Sequence, residues 1–366
     1  MTTVRDVVSV MECIARPQWA EEWDKIGLLS GSAGQPVRRI ALALDATLPA
    51  LSAAAKKKAD MLIVHHPAFF AAPTTLADTV PLGVRAAAMA RSGIAVYAAH
   101  TNLDAAPGGT NDALAALAGL QFPDIIQTTC VERLLKLAVF VPAGHEEDMI
   151  RALGEAGAGA IGNYSCCTFR TQGTGTFRCG PGTKPYKGRP GSFEQADEFR
   201  IETVFGEYSR DQVLAAMLAV HPYEEPAYDI YALEDGARRF GHGRVGMLDE
   251  PQTVHALARR MAQATGSTMT QYTGTGKRRV ERAAVWCGAG VKAKVFAGCG
   301  AEVVIAGEVG YHELEDFIQQ GMDVITLGHG FSETLVLPPL AARLRKALPG
   351  VAVSLLTGTG YAMNNV

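Results

Sequence analysis

The chain has 366 residues and a net charge of −3; hydrophobic residues make up 48% of it and charged residues 19%. This length and composition indicate a globular protein of about two domains and exclude a disordered chain. The slightly negative charge gives no electrostatic case for binding nucleic acid or an anionic membrane, and no apolar run of about 18 residues predicts a membrane span. Seven cysteines without a CxxC pair, and an acidic amphipathic N-terminus without signal-peptide features, favour a cytoplasmic protein.

The first 130 residues alternate between helical and strand patterns. The predicted elements are a helix over 3–15, a strand over 38–44, a helix over 48–58, a strand over 61–65, a helix over 81–92, a strand over 94–99 and a helix over 112–119. Thr47 is a candidate cap for the second helix, as are Thr110 and Asn111 for the last one. The pair Trp23 and Asp24 is either a packed aromatic residue beside a capping carboxylate or a wall of a site. The alternation predicts a parallel α/β sheet with right-handed crossovers.

A different pattern begins near residue 130 and ends near residue 240. A strand over 135–141 precedes a helix, a glycine-dense stretch over 156–191 follows, and 198–233 shows a strand, a helix and a strand. This order predicts an independent α+β domain over 131–239 with a ferredoxin-like, split β-α-β arrangement.

The α/β alternation resumes after residue 240. The predicted elements are a helix over 254–265, strands over 279–287 and 301–306, a helix over 311–319, a strand over 323–327, a helix over 333–347 and a strand over 351–356. Neither 1–130 nor 240–366 has enough helices to cover both faces of a sheet, but together they do. We therefore predict one α/β domain made of 1–130 and 240–366, split by the inserted domain over 131–239.

Two adjacent histidines end the strand predicted over 61–65. The apolar run Met61–Val64 predicts a strand buried on both faces, and Pro67 prevents its extension past His65 and His66. Open α/β sheets bind their ligands at this carboxyl edge. Alone, the pair has a simpler explanation, namely a strand end with one buried and one exposed imidazole. Adjacent strand residues point to opposite faces, which suits two metal ions better than one.

Three further predicted strands also end in residues of metal-ligand type. These pairs are His100 with Asp104, Glu308 with His312, and His329 with Glu333. Histidines and carboxylates without clustered thiols are the ligands of catalytic Zn, Mn or Fe sites rather than of structural zinc. Two divalent ions need a bridging carboxylate, and a water held between them becomes a strong nucleophile. The four strand ends together predict a metal site at the carboxyl edge of the sheet.

Several motifs resemble those of the Nif-three-like dinuclear metal-centre proteins, which are often called GTP cyclohydrolase 1 type 2 homologues. In 1–130 and 240–366 these motifs are EEWDKIGLLSG, LALDAT, LIVHHPAFF, AAHTNLDAAPGGTND and IAGEVGYHELEDFIQQGMDVITLGHGFSE. In the insertion, GAGAIGNYSCCTF, GTGTF and AMLAVHPYEEPAYDIY resemble the CutA/PII-like domain of longer family members. The resemblance thus implies a split α/β metal-binding domain with an inserted ferredoxin-like, CutA/PII-like domain. One departure is Lys25, where family members commonly have Asn, and we expect Lys25 to face solvent.

The family resemblance also implies a site with two divalent metal ions. The implied ligands are His65, His66, Asp104 and His329, each on one ion, and Glu333, which bridges both. By the same resemblance, His100 and Glu308 lie behind the ligands and orient them or a water. His312 is expected near the ions, and direct ligation by it is the less favoured alternative. The ions can be Zn, Mn or Fe, because such donor sets accept all three.

These observations favour a dinuclear metal-dependent hydrolase that acts on GTP, as a type 2 cyclohydrolase does, or on a phosphoester or nucleotide. His100 is the candidate catalytic residue, because an imidazole with an intrinsic pKa near neutrality can shuttle a proton. The chain has no P-loop, so the motifs do not select the substrate. The alternative function is that of a non-catalytic metal- or small-ligand-binding regulatory scaffold, which the PII-like insertion suggests. The resemblance further implies a homohexamer that takes a small-molecule substrate or ligand.

Overall fold

In the computed structural model, which describes residues 1–358, the N-terminal third of the chain contains every predicted helix and strand, together with elements that were not predicted. Its elements are α1 Val4–Ile14, β1 Gly27–Ser30, β2 Arg39–Ala43, α2 Leu48–Lys56, β3 Met61–Val64, α3 Pro81–Ser92, β4 Ala95–Ala98, α4 Thr101–Ala105, α5 Thr110–Leu117 and β5 Leu120–Glu132. Thr47 caps α2 as predicted, because its Oγ1 accepts from the backbone N–H of Ala50 at 3.1 Å. The prediction for α5 is wrong, since Thr110 and Asn111 are its first residues and Gly109 is the cap.

The middle of the chain alternates strands and helices. Its elements are β6 Leu134–Pro142, α6 Glu146–Glu155, β7 Thr168–Arg178, β8 Phe193–Gly206, α7 Arg210–Val220 and β9 Tyr228–Ala232. These strands form one antiparallel sheet in the order β7-β8-β6-β9. The order is that of a split β-α-β arrangement, in which the two crossover helices lie on the same sheet. Apolar residues of β6, α6 and α7, such as Val139, Met149 and Met217, share one buried cluster.

The last third of the described chain completes the α/β pattern. Its elements are β10 Arg238–Thr253, α8 Val254–Thr265, β11 Gln271–Tyr272, β12 Arg279–Trp286, β13 Val303–Ala306, α9 Tyr311–Gln319, β14 Asp323–Thr326, α10 His329–Glu333, α11 Leu337–Ala347 and β15 Ala352–Leu355. The helix predicted over 333–347 is interrupted: α10 ends at Glu333, and α11 begins at Leu337 with Pro338 in its first turn. A proline has no backbone N–H to donate and clashes with the preceding turn, so it starts a helix instead of continuing one.

The described residues divide into two compact units. Residues 1–130 and 240–358 form one, which we call the split unit, and residues 131–239 form the other, the insert unit. The helices of both units are short; the longest, α3 and α8, have 12 residues each. Within residues 1–358, no helix has the length and apolar character needed to span a membrane.

The split unit contains two sheets, whereas the sequence suggests one. The first has the order β1-β4-β3-β2-β15, in which only β1 is antiparallel to its neighbour. The second has the order β11-β14-β13-β12-β10-β5, with β12, β13 and β14 parallel. Each sheet has its own buried clusters; Leu62 and Val96 belong to one, and Ile305 belongs to another. The expectation of a single sheet is therefore wrong, although the parallel strand–helix units themselves are present.

Candidate metal centre

His65 and His66 leave the carboxyl end of β3, a central strand of the first sheet. His65 is buried, and its Nδ1 lies 2.9 Å from the carbonyl oxygen of Ala99, which follows β4. A carbonyl oxygen only accepts, so the Nδ1–H donates and the lone pair of a neutral ring is on Nε2. This is the way a protein sets the tautomer of a histidine whose other nitrogen binds a metal.

Asp104 comes from the helix that follows β4. Its Oδ1 lies 3.6 Å from Nε2 of His65. The hydroxyl of Thr110 donates to the same Oδ1 at 2.5 Å, and the side-chain amide of Asn111 donates to the backbone oxygen of Asp104 at 3.1 Å. The residues that the sequence suggests as helix caps therefore hold a site carboxylate in place.

His329 and Glu333 lie four residues apart in α10, directly after β14 of the second sheet. Nε2 of His329 lies 3.2 Å from Oε2 of Glu333, as expected for side chains on one helix face. Gly288 makes room for this carboxylate: its φ is +67°, and a Cβ there would lie 2.2 Å from Oε1 of Glu333. The turn after β12 thus needs a glycine for both its backbone conformation and its contact with the site.

The two oxygens of Glu333 face two different sets of donors. Oε1 lies 3.7 Å from Nε2 of His65, whereas Oε2 lies 3.0 Å from Nε2 of His66 and 3.2 Å from Nε2 of His329. Two donors bound to one tetrahedral ion, each about 2.1 Å from it, lie about 3.4 Å apart. The observed separations are close to this value on both sides of Glu333, so each of its oxygens lies at ligand-to-ligand distance from at least one imidazole.

Two buried polar atoms of this cluster have no hydrogen-bond partner among residues 1–358: Nε2 of His65 and Oε2 of Glu333. Burying an unpaired acceptor is unfavourable, and native sites usually satisfy such atoms with a bound ion or water. Two groups have ligand atoms within 4.8 Å of one another and could hold an ion: His65, His66 and His100, and His66, His329 and Glu333. The donor set and the unpaired atoms both fit a divalent metal.

The electrostatics of the cluster favour positive charge. Burial alone would raise the pKa of Glu333, but His65, His329 and His66 outweigh it and hold that pKa well below its usual value. Burial opposes protonation of His66, yet the adjacent carboxylates of Asp45 and Glu333 raise its pKa to about 10. The adjacent carboxylate of Glu333 likewise raises the pKa of His329. The carboxylates of the cluster therefore favour positive charge on the imidazoles around them.

His100 is oriented by a carboxylate that comes from the loop before β1. Nδ1 of His100 lies 2.9 Å from Oδ1 of Asp24, whose other oxygen accepts from the backbone N–H of Thr101 at 3.0 Å and from its hydroxyl at 2.5 Å. Burial raises the pKa of Asp24, but these hydrogen bonds and the nearby His100 lower it to about 2. Asp24 thus lies against the first turn of α4 and orients His100. Lys25 is exposed.

Glu308 and His312 occupy different positions relative to the cluster. Oε2 of Glu308 lies 3.6 Å from Nδ1 of His329, behind the nitrogen that faces Glu333. His312 lies on α9, is exposed, and pairs with Glu315 one turn along its own helix. The structure therefore brings Glu308 to the site and leaves His312 outside it.

Asp45 is a site residue that the sequence reasoning missed. Its Oδ1 lies 2.8 Å from Nδ1 of His66, which fixes that imidazole with Nε2 toward Glu333. Asp45 follows β2, the parallel neighbour of β3. The available signal was its position: Asp45, like the histidines, is a residue of metal-ligand type at the carboxyl end of a predicted strand.

A cavity of about 690 Å³ opens onto this cluster. His66, His100, His329 and Glu333 line its polar end, and aromatic side chains of Trp23 and Phe70 line another part. Its size is that of a pocket for a small organic molecule.

Residues 2–358 match the family described as Duf34/NIF3 (NGG1p interacting factor 3). A protein of Halalkalibacterium halodurans called GTP cyclohydrolase 1 type 2 homolog is 36% identical over 330 residues, which cover 90% of this chain and 89% of the relative. The protein of the same name from Bacillus subtilis is 36% identical over 326 residues, covering 89% of this chain and 87% of the relative.

Solved structures show the same fold. The crystal structure of a Bacillus cereus protein related to NIF3 superposes with a TM-score of 0.84 at 34% identity and covers 97% of both chains. A Staphylococcus aureus structure superposes with a TM-score of 0.67 at 23% identity over 99% of both chains. The similarity therefore extends over the split unit and the insert unit alike.

Proposed function

Because the chain belongs to the Duf34/NIF3 family, we propose that it binds two divalent metal ions at the cluster around Glu333 and acts as a metal-dependent hydrolase. The observation that supports this most directly is the pair of donor sets on the two oxygens of Glu333. A single ion would leave one of these sets without a cation. The names of the relatives in Halalkalibacterium and Bacillus subtilis, GTP cyclohydrolase 1 type 2 homolog, agree with a hydrolytic reaction.

The proposed ligands follow from the distances. His65, Asp104 and Oε1 of Glu333 hold one ion, and His66, His329 and Oε2 of Glu333 hold the other. Asp45 and Glu308 orient His66 and His329 through their remaining nitrogens. Zn, Mn and Fe all suit this set of imidazoles and carboxylates.

The chemistry divides between the ions and the chain. Bound divalent ions supply Lewis acidity and lower the pKa of water. His100 is the proposed proton shuttle, because Asp24 holds its Nδ1–H and leaves Nε2 free to exchange a proton. The substrate would be GTP, a phosphoester or another nucleotide.

Metal content tests the ligand assignment. We expect wild-type protein purified without added metal, then reconstituted, to hold two divalent ions per chain by elemental analysis. His65→Ala and His329→Ala should each lose one ion, because each removes a ligand from a different set, and Glu333→Ala should lose both. His312→Ala is the matched control and should retain the wild-type content, since His312 is exposed on α9. A wild type that binds no ion would contradict the proposal.

Turnover tests the hydrolase assignment separately. Reconstituted wild type should hydrolyse at least one substrate in a panel of nucleotides and phosphoesters, and His65→Ala should not. His100→Gln should keep its metal and lose most of its turnover. Equal inactivity of wild type and His65→Ala on every substrate class would rule the hydrolase out.

A regulatory scaffold is the second candidate function, and the insert unit contains one observation in its favour. A cavity of about 400 Å³ is lined there by aromatic and charged side chains. Glu198 is buried in its wall and accepts from the hydroxyl of Tyr223 at 2.8 Å. Together with the proposed CutA/PII-like character of this unit, such a cavity suits a small regulatory ligand.

Thermal shift assays separate the two candidates. Stabilisation by a nucleotide that persists in the double variant His65→Ala/Glu333→Ala but is lost in Tyr223→Phe would support the scaffold. Stabilisation lost in the double variant and kept in Tyr223→Phe would place the ligand at the metal centre instead.

Self-association as a homohexamer is also proposed, on the family resemblance alone. Sedimentation velocity on the purified full chain tests it directly. A single species near six times the mass of the chain is expected, and a monomer at all concentrations would exclude it.

A further inference from the structure

Two large aromatic side chains beside the metal cluster are exposed. Trp23 retains 56% of its surface and Phe70 retains 55%, although residues of this size are usually largely buried. Their ring centroids lie 6.2 Å apart with an angle of 38° between the planes. They form a continuous apolar surface, which we call the aromatic shelf, and a contiguous exposed apolar surface often marks a binding site.

The aromatic shelf is joined to the cluster through His100. The ring of Trp23 lies 6.0 Å from that of His100, and the ring of Phe70 lies 5.8 Å from it, both in edge-on geometry. The ring of His100 in turn lies 5.1 Å from that of His65 and 5.6 Å from that of His66. The proposed proton shuttle therefore stands between an apolar surface and the metal ligands.

The cavity that contains both features is much larger than metal ions require. At about 690 Å³ it has room for an organic molecule of some size, and its two ends differ in chemistry. One end offers imidazole and carboxylate groups, and the other offers the faces of aromatic rings. A ligand that fills it has a polar reacting group and a flat apolar part.

We propose that the substrate carries a planar aromatic ring, such as a nucleobase, which stacks on the shelf of Trp23 and Phe70 while its scissile group lies beside His100. This inference rests on the proposed function. In it, the aromatic shelf selects substrates that carry a ring. Stacking on aromatic side chains tolerates different bases, because every base has a π face.

Trp23 itself is a reporter of the interaction. The chain has three tryptophans, and the other two, Trp19 and Trp286, are 5% and 8% exposed. Trp19 is also stacked on Phe240 at 4.1 Å between centroids. Collisional quenching by acrylamide therefore reports mainly on Trp23, and a ring stacked on the shelf should both quench its emission and protect it from acrylamide.

The test compares guanosine 5′-monophosphate with ribose 5-phosphate, in which a hydroxyl replaces the base. Each is titrated into the metal-reconstituted full chain, and binding is followed by tryptophan emission and by calorimetry. The nucleotide should bind roughly tenfold more tightly or better, in line with the usual contribution of base stacking. Trp23→Ala and Phe70→Ala should reduce this preference several-fold, and Trp23→Phe should retain it because a ring face remains.

Phe122→Ala is the matched control, because Phe122 is 97% exposed and does not line the cavity; the preference should be unchanged. Equal binding of the two ligands, or no binding of either, in protein shown to hold metal overturns the shelf and leaves the metal assignment intact. A second outcome is a protein that holds no metal, yet binds the nucleotide more tightly than the sugar phosphate and loses this preference in Trp23→Ala. That outcome overturns the proposed function and supports the aromatic shelf. A tryptophan signal insensitive to acrylamide in the full chain also overturns the shelf, because Trp23 is then covered.

Discussion

Gly288 shows how one residue can set the position of the Glu333 carboxylate. Gly288 follows β12 and has a left-handed φ of +67°. The hydroxyl of Ser332 accepts a hydrogen bond from the backbone N–H of Gly288 at 2.9 Å. Ser332 also donates to the carbonyl oxygen of His329 at 2.7 Å. These two hydrogen bonds join the turn to α10. They hold Gly288 so close to the carboxylate of Glu333 that no space remains between them for a side chain.

Gly288→Ala should abolish metal binding at the cluster. The added Cβ would lie 2.2 Å from Oε1 of Glu333, so the carboxylate must leave its position. The left-handed backbone would also cost about 1–2 kcal/mol of stability in any non-glycine residue. Elemental analysis and chemical denaturation measure the two effects separately.

Gly290→Ala is the control for Gly288→Ala. Gly290 has a similar φ of +76°, but a Cβ there would contact nothing within 4 Å. It should lose a similar amount of stability and keep its metal. Loss of metal in both variants would show that backbone strain, and not contact with Glu333, is responsible.

His221 places a neutral imidazole inside the insert unit. Its Nε2 lies 2.9 Å from the carbonyl oxygen of Phe140, and its Nδ1 accepts from the backbone N–H of Tyr223 at 3.1 Å. Nε2 must therefore donate and Nδ1 must stay unprotonated, since a proton there would face another N–H. Burial lowers the pKa of His221, and the bond to Phe140 offsets this only in part.

The insert unit should lose stability as the pH falls below about 6.5, the usual pKa of histidine in an unfolded chain. Because the pKa of His221 is lowered in the folded state, the unfolded chain binds the proton first. The contribution is complete above the unfolded pKa and is lost as the pH falls through the folded one. Denaturation of wild type and His221→Gln between pH 7.5 and 5 measures it. The stability advantage of wild type should shrink with acidity; an advantage independent of pH would exclude this role.

At the scale of elements, the junction of α4 and α5 positions Asp104 for the cluster. Thr110, the first residue of α5, donates to a carboxylate that belongs to α4. Asn111 links the same junction to the second sheet, because its Oδ1 accepts from the backbone N–H of Cys287 at 3.0 Å. The start of α5 therefore connects residues of both sheets at the point where the ligands meet.

Thr110→Val should weaken metal binding roughly 10–100-fold, which is the usual effect of removing a hydrogen bond that orients a ligand. Valine keeps the shape of threonine, so the helix itself should be little affected. Competition with a chromogenic chelator measures the affinity. Thr110→Ser retains the hydroxyl and should bind as wild type does; an unchanged affinity in Thr110→Val would show that Asp104 needs no such support.

The grouping of the strand-end residues could be predicted because it depends only on where buried strands stop. Apolar runs such as Met61–Val64 end at ligand-type residues, and the carboxyl ends of parallel strands share an edge. Asp45 escaped notice because a single carboxylate after a strand also suits a helix cap. The division into two sheets could not be predicted, since β3 and β13 are equally apolar and neither sequence specifies its partner. The strand Gly27–Ser30 was missed because its flanking glycines indicate turns.

At the scale of the whole molecule, the insert unit leaves and rejoins the split unit at neighbouring points. β5 and β10 are adjacent strands of the second sheet. The hydroxyl of Thr129 donates to the carbonyl oxygen of Phe240 at 3.5 Å. Two strand ends this close can be joined by a tight turn.

Replacing residues 131–239 with an Asn-Gly turn should leave a folded, metal-binding split unit. Every proposed ligand lies outside the replaced segment, and the two sheets lose only the last two residues of β5 and the first two residues of β10. Circular dichroism and elemental analysis measure the outcome, and residues 131–239 produced separately should fold through their own core. A shortened chain that is folded but binds no metal would show that the insert unit contributes to the site.

The cluster also draws its donors from opposite ends of the chain. His65 and His66 leave the ribosome long before Glu333, and synthesis at about 5–20 residues per second puts tens of seconds between them. During this time the nascent chain has these imidazoles but neither Glu333 nor the complete second sheet that positions it. Loading of the two proposed ions would therefore be a late event in biosynthesis, and a chain released before α10 would lack the carboxylate that the proposed centre requires.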